Sequence, residues 1–214
     1  MGWQRHAIKS ERGEWLMVGA VRIVILSLAL ASAPAAAQFT GSDGEAFIAA
    51  MKEGDSGKAV ELVEKAGSTV VNYRTADGGS GLHVALRRRS ANWVGYLLAH
   101  DADPNLADKN GDTPLILGAR LGFNEGVERL LRARALVDKP NRLGETPLIV
   151  AVQGRQAGIV NMLLEAGADP DKADHAAGYS ARDYAKRDTR SADMLRLMDT
   201  VKAKKQAVVG PVRP

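Results

Sequence analysis

The 214-residue chain has no cysteine, which excludes disulfides, thiolate zinc sites, iron–sulfur clusters and a cysteine nucleophile, while leaving the compartment open. Histidine is also scarce, and none of the four lies at the i, i+4 spacing of a zinc-binding helix. The segment Asp108-Lys109-Asn110-Gly111-Asp112 has its glycine at the fourth place of a would-be calcium loop, not the sixth, and no glutamate at the twelfth. Gly78, Gly79 and Gly81 lack both the preceding strand and the GK[ST] ending of a phosphate cradle. With no reactive constellation in view, the expectation is a protein that is not an enzyme and carries no cofactor or metal. What is present is ordinary globular usage, 45% hydrophobic and 25% charged, which excludes collagen-like, coiled-coil and wholly disordered chains. The length suits one domain or two.

The first stretch reads as an address. Ile23 to Ala33 is an apolar run preceded by Arg22 and followed by Pro34-Ala35-Ala36-Ala37-Gln38, the order of a secretory signal peptide over residues 1–37 cleaved after Ala37. Glu11, Glu14 and two tryptophans in Met1–Leu16 are foreign to a short basic n-region, so Met17 is the alternative start. Uncut, the run from Met17 would be a short N-terminal membrane anchor with Arg22 inside. The expected localisation is therefore periplasmic or secreted, with no stable membrane insertion after cleavage. Without residues 1–37 the chain keeps 25 basic against 23 acidic side chains, a net charge of +2 where the whole carries +4. That near balance supplies no nucleic-acid footprint.

The body repeats itself. Ser80-Gly81-Leu82-His83, Thr113-Pro114-Leu115-Ile116, Thr146-Pro147-Leu148-Ile149 and Ser180-Ala181-Arg182-Asp183 start 33, 33 and 34 residues apart. Leu97-Leu98, Leu130-Leu131 and Leu163-Leu164 keep the same register. The hydroxyls of Ser80, Thr113, Thr146 and Ser180 stand where they can cap a helix, and Pro114 and Pro147 follow at the first helical position, where a missing N–H costs nothing. Trp93, Val94, Leu97 and Leu98, then Val127, Leu130 and Leu131, then Ile159, Val160, Leu163 and Leu164 form the buried stripe of a second helix. Gly167 supplies a left-handed stop, and Gly111, Gly144 and Gly178 turn the chain through a hairpin-like tip.

This helix–turn–helix–tip unit resembles the ankyrin repeat, whose T-P-L-H-x-A signature stands here as Ser80-Gly81-Leu82-His83-Val84-Ala85 and, with isoleucine for histidine, at Thr113 and Thr146. The resemblance implies an all-α solenoid over residues 43–203 with five repeats, at about 45–79, 80–112, 113–145, 146–179 and 180–203, and a flexible basic tail over 204–214. The first unit runs through Phe47, Ala50, Gly54, Leu62, Val63 and Gly67; the last is more polar, as a terminal cap should be. Asp101 and Arg134 occupy the left-handed position that Gly67 and Gly167 keep, at roughly 1 kcal/mol each, so the second and third repeats should be softer. In the family the signature imidazole links neighbouring tips, which makes His83 structural; His100 is expected to complement the negative end of its helix.

The resemblance further implies a scaffold that binds a partner protein through its tips and the exposed face of its first helices, acting as a monomer. The candidate contact residues are Arg87, Arg88, Lys109, Arg120, Leu121, Arg142, Leu143 and Tyr179. Leu121, Leu143 and Tyr179 would form an apolar stripe. The basic residues, joined by Arg187, are set against Asp77, Asp112, Glu145 and Asp188, leaving two readings: a mixed solvated face, or a basic groove recruiting an acidic partner. The alternative ligand for such a groove is an anionic surface, phospholipid or cell-wall polymer.

Overall fold

A computed structural model describes residues 41–209 except residue 66, with side chains over residues 43–201. The expected signal segment, residues 1–37 with Met17 as its alternative start, and residues 210–214 of the expected tail lie outside the described residues.

Among the described residues the chain is all-helical, without a strand; an isolated antiparallel bridge joins Ala173 to Ser180. Five helix pairs follow in order: α1 (Gly41–Glu53) with α2 (Ser56–Glu64), α3 (Gly81–Arg87) with α4 (Ala91–Ala99), α5 (Pro114–Leu121) with α6 (Asn124–Arg132), α7 (Pro147–Gln153) with α8 (Ala157–Glu165), and α9 (Ala181–Arg187) with α10 (Ala192–Val209). The first helix of each interior pair starts as its residues dictate. Thr113 Oγ1 accepts the N–H of Ile116 and Thr146 Oγ1 that of Ile149, both at 3.3 Å, with Pro114 and Pro147 at the first helical position. Ser180 Oγ accepts the N–H of Asp183 at 3.2 Å, and the Asp183 carboxylate accepts the N–H of Ser180 at 3.1 Å, closing a capping box.

Helices this short are marginal alone, and packing between pairs holds them. First helices pack on first helices in the series α1, α3, α5, α7, α9, and α4, α6, α8, α10 do likewise. Leu82, Leu115 and Leu148 are sealed at these junctions, as are Val94 and Leu97, Val127 and Leu130, and Ile159, Val160, Leu163 and Leu164. Each such side chain gains about 1.5–3 kcal/mol from leaving water.

Gly67, Asp101, Arg134 and Gly167 all have positive φ, at 73, 61, 59 and 105°, as their shared register requires. A second left-handed series was not legible in the sequence: Gly54, Arg89, Gly122 and Arg155, at 86, 51, 62 and 54°, end the first helices. Left-handed strain therefore reaches the fourth repeat as well as the second and third. Arg155 offsets it by donating from Nε to Asp188 Oδ2 of the last repeat at 2.7 Å, a bond that holds the Asp188 carboxyl down at about 2. The other departure from expectation is at the end of the chain, where α10 continues to Val209, through the first part of the segment expected as a flexible tail.

Candidate functional site

The tips that follow the second, third and fourth helix pairs are turns each closed by one short side chain. Asp108 Oδ1 accepts the N–H groups of Asn110 (2.8 Å) and Asp112 (3.0 Å); Asn141 Oδ1 accepts those of Leu143 and Glu145, both at 3.0 Å; Asp174 Oδ1 accepts those of Ala177 (2.8 Å) and Gly178 (3.0 Å). Burial of Asp174 would raise its pKa, but these bonds and the Tyr184 hydroxyl, 2.6 Å from Oδ2, outweigh it and hold the carboxyl low. Successive tips are joined through the main chain: Lys109 N–H donates to the Asp77 carbonyl (2.8 Å), Arg142 N–H to Asn110 (3.1 Å) and His175 N–H to Leu143 (2.8 Å). The close approach needs Gly111, whose φ is 81° and where a Cβ would stand 2.7 Å from Arg142 N.

Between the tips and α3 and α5 lies a groove of about 600 Å³, lined by Arg87, Asp108, Lys109, Asn110, Asp112, Leu117, Arg120, Asn141, Arg142, Leu143 and Glu145. Its carboxylates are already used. Asn141 Nδ2 donates to Asp112 Oδ1 at 2.9 Å and to Glu145 Oε2 at 2.8 Å; Arg120 Nη2 lies 3.2 Å from both Asp112 oxygens and 3.5 Å from Glu145. Asp108 is occupied by its own turn. The cations differ. Only Arg120 is paired; Arg87, Lys109 and Arg142 are exposed and make no side-chain hydrogen bond or ion pair among the described residues.

His83 lies beneath this groove, fully buried. The Asp112 carbonyl can only accept, so Nε2 carries the proton and donates to it at 3.1 Å, leaving Nδ1 to accept the N–H of Ser80 at 3.1 Å. Burial pushes its pKa down, keeping the ring neutral. Ser80 Oγ, 3.0 Å from Nδ1, is equally sealed, so a substrate cannot reach this hydroxyl–imidazole pair. The imidazole ties the start of α3 to the tip that closes the second repeat, and His100 Nδ1 donates to the Tyr96 carbonyl at 2.9 Å at the end of α4.

Of the eight expected contact residues, Arg87, Lys109, Arg120, Arg142 and Leu143 come together in the groove. Arg88 does not: its Nη1 donates to the Lys52 carbonyl at 2.6 Å, capping the end of α1. Leu121 is half-buried against the core, and Tyr179 is half-buried with the Arg187 guanidinium 4.6 Å from its ring centre and bonded to its hydroxyl at 3.0 Å. The expected apolar stripe therefore reduces to Leu143, 56% exposed, with Leu117 below it. Asp108, Leu117 and Asn141 were missed as lining residues; the signal was there in that Asp108 and Asn141 are 33 residues apart. Among the described residues no cluster of His, Asp and Glu is arranged to hold a metal ion, and no helix is long and apolar enough to cross a membrane.

Family models agree with this architecture: "Ankyrin repeats (3 copies)" matches residues 46–138, and "Ankyrin repeat" matches residues 143–175, together more than half of the chain. The chain belongs to the ankyrin-repeat family. Similar proteins include ANK repeat-containing protein nipk-1 of Caenorhabditis elegans, 32% identical over 69% of this chain and 28% of the relative. The E3 ubiquitin-protein ligase KEG of Arabidopsis thaliana is 35% identical over 50% of this chain and 7% of its own length. An ankyrin repeat protein of Rickettsia bellii is 34% identical over 47% and 31%. The chain thus spans less than a third of each of these relatives. Ankyrin repeats generally mediate protein–protein interaction and are generally non-catalytic, although some relatives are enzyme fusions.

Proposed function

We propose that this ankyrin-repeat chain is a non-catalytic scaffold, exported to the periplasm, that holds a partner protein in the groove of its second and third repeats. The observation that carries the reading is the asymmetry of that groove: its carboxylates are spent on holding the tips together while Arg87, Lys109 and Arg142 face outward without partners beside the exposed Leu143. Apolar contact supplies an anchor and exposed charge supplies orientation and encounter rate. Export rests on the leader pattern of residues 1–37 and nothing else.

Affinity capture from the native compartment, comparing the wild-type chain with Leu143→Asp, tests the groove. One protein should be retained by the first and lost by the second; equal retention would place binding elsewhere. The chain should be found in the periplasmic fraction with Gln38 at its N terminus; an uncut chain in the membrane fraction would replace cleavage by anchoring, and recovery from the cytoplasm alone would remove the export reading. The second reading, binding of an anionic lipid or cell-wall polymer, draws on the same three cations. An Arg87→Ala/Arg142→Ala variant should lose pulldown by anionic vesicles if it holds; Arg88 is unsuitable for that test because it caps α1.

A further inference from the structure

Lys109 and Arg142 occupy the same place in successive tips, 33 residues apart, and the tips are joined directly by the Arg142 N–H to Asn110 carbonyl bond. The two cations are therefore offset by one repeat, which for side-by-side helices is about 10 Å. A polyproline II segment rises about 3.1 Å per residue and returns to the same side every third residue, covering about 9 Å per turn. A β-strand has a similar rise, but its i and i+3 side chains leave on opposite sides. The step of the tips thus matches one turn of a polyproline II chain. Among the described residues neither cation is within ion-pair distance of the groove's own carboxylates, which are held in place by bonds from the tip backbone, Asn141 and Arg120. Arg87 stands on the helix wall of the same groove, and Leu143, exposed on the same tip as Arg142, offers apolar contact together with Leu117 of the groove lining.

We infer that the ligand of this groove is an extended, polyproline II-like acidic peptide segment of the partner, with carboxylates at i and i+3 paired to Lys109 and Arg142. The inference rests on the groove being a protein-binding surface and adds to it a spacing rule. A helical partner would reach the same step only with acidic residues at i and i+7, about 10.5 Å apart, and a strand carries one-face residues about 7 or 13 Å apart, at i and i+2 or i and i+4. Exposed ion pairs are individually weak, so each cation contributes about a threefold change in affinity and the spacing preference comes from both together.

The test uses nine-residue fluorescent peptides of one composition, containing proline and leucine, with two glutamates three apart or adjacent. Anisotropy is read on the full chain at low and at physiological salt. The spaced peptide should bind about threefold to tenfold tighter than the adjacent one. Lys109→Ala or Arg142→Ala should remove that preference, and salt should reduce it. Equal binding of the two peptides, or a preference that survives in the double variant, would overturn the inference. If both bind equally and both are lost in Leu143→Asp, the groove remains a protein site and only the spacing rule falls. If neither binds, while phosphatidylglycerol vesicles bind the wild-type chain and not the double variant, the cations serve an anionic surface and both readings fall.

Discussion

The interior repeats and the last one use the same framework positions in opposite ways. In the second, third and fourth repeats the residue after the signature Gly or Pro is Leu82, Leu115 or Leu148, sealed against the next pair of helices. In the fifth it is Arg182, which donates from Nε to Asp171 Oδ1 at 2.8 Å and from Nη1 to Asp199 Oδ1 at 2.6 Å. The cap at this position is polar: a hydroxyl–carboxylate box at Ser180 and Asp183 replaces the Thr–Pro start. The difference teaches that the fold asks for a helix start at this point in every repeat, but that the next position accepts either an apolar side chain or an arginine held by carboxylates. The Arg182 side chain is itself mostly covered, 15% exposed, and ties α9, α10 and the preceding loop together.

This contrast makes graded predictions. Leu148→Ala should cost about 3–4 kcal/mol in a urea titration, since it empties a fully buried site; a loss under 1 kcal/mol would mean the interior junctions are looser than described. His83→Ala should cost about 2 kcal/mol, because it strands the Ser80 N–H and the Asp112 carbonyl. Its pH dependence has a definite sign. The folded state binds a proton on His83 less readily than the unfolded chain, so this contribution is complete above about pH 6.5 and fades as pH falls towards the lowered value. Thermal melts of the wild type should therefore soften between pH 7 and pH 5 more than those of His83→Ala, and parallel curves would deny the imidazole this role.

Arg182→Ala should cost only about 1 kcal/mol, since its aspartate partners are largely exposed, with the extra amide exchange confined to α9 and α10. Exchange spreading through α5 and α7 would erase the distinction between end and interior. The smallest effect is a gain. Arg134→Gly relieves a left-handed residue that makes no side-chain bond among the described residues and should add up to about 1 kcal/mol. Arg89→Gly should gain nothing, because Arg89 donates to the Leu121 carbonyl at 2.8 Å and the Gly122 carbonyl at 3.1 Å. Equal gains at the two sites would show those bonds to be idle.

The repeat phase made much of the fold legible. Once Thr113 and Thr146 are known to be equivalent, the helix starts, the buried leucines, the left-handed stops at Asp101 and Arg134 and the inward role of His83 follow from position. Side-chain partnerships between repeats do not follow, because equal spacing says which residues correspond and not which way a long side chain turns. Arg87 and Arg88 are neighbours in sequence, yet one faces the groove and the other caps α1. Arg87 and Arg120 are equivalent, yet only Arg120 forms ion pairs, with Asp112 and Glu145 on the tips at either side of α5, while Arg87 acts on Asp77 at longer range. Leu121 looked exposed by register but sits beside the left-handed turn at Gly122, which leaves it against the core.

The three bonds that run from tip to tip are made entirely by peptide groups: 109 to 77, 142 to 110 and 175 to 143. An amide is indifferent to the side chain it carries, so the residues best placed to touch a partner are not the ones that cement the row. Lysine, arginine and histidine already ride on the three donors, and any residue but proline could do so without breaking a bond. Specificity on this face can drift, or be redesigned, one tip at a time while the mortar between repeats stays as it is.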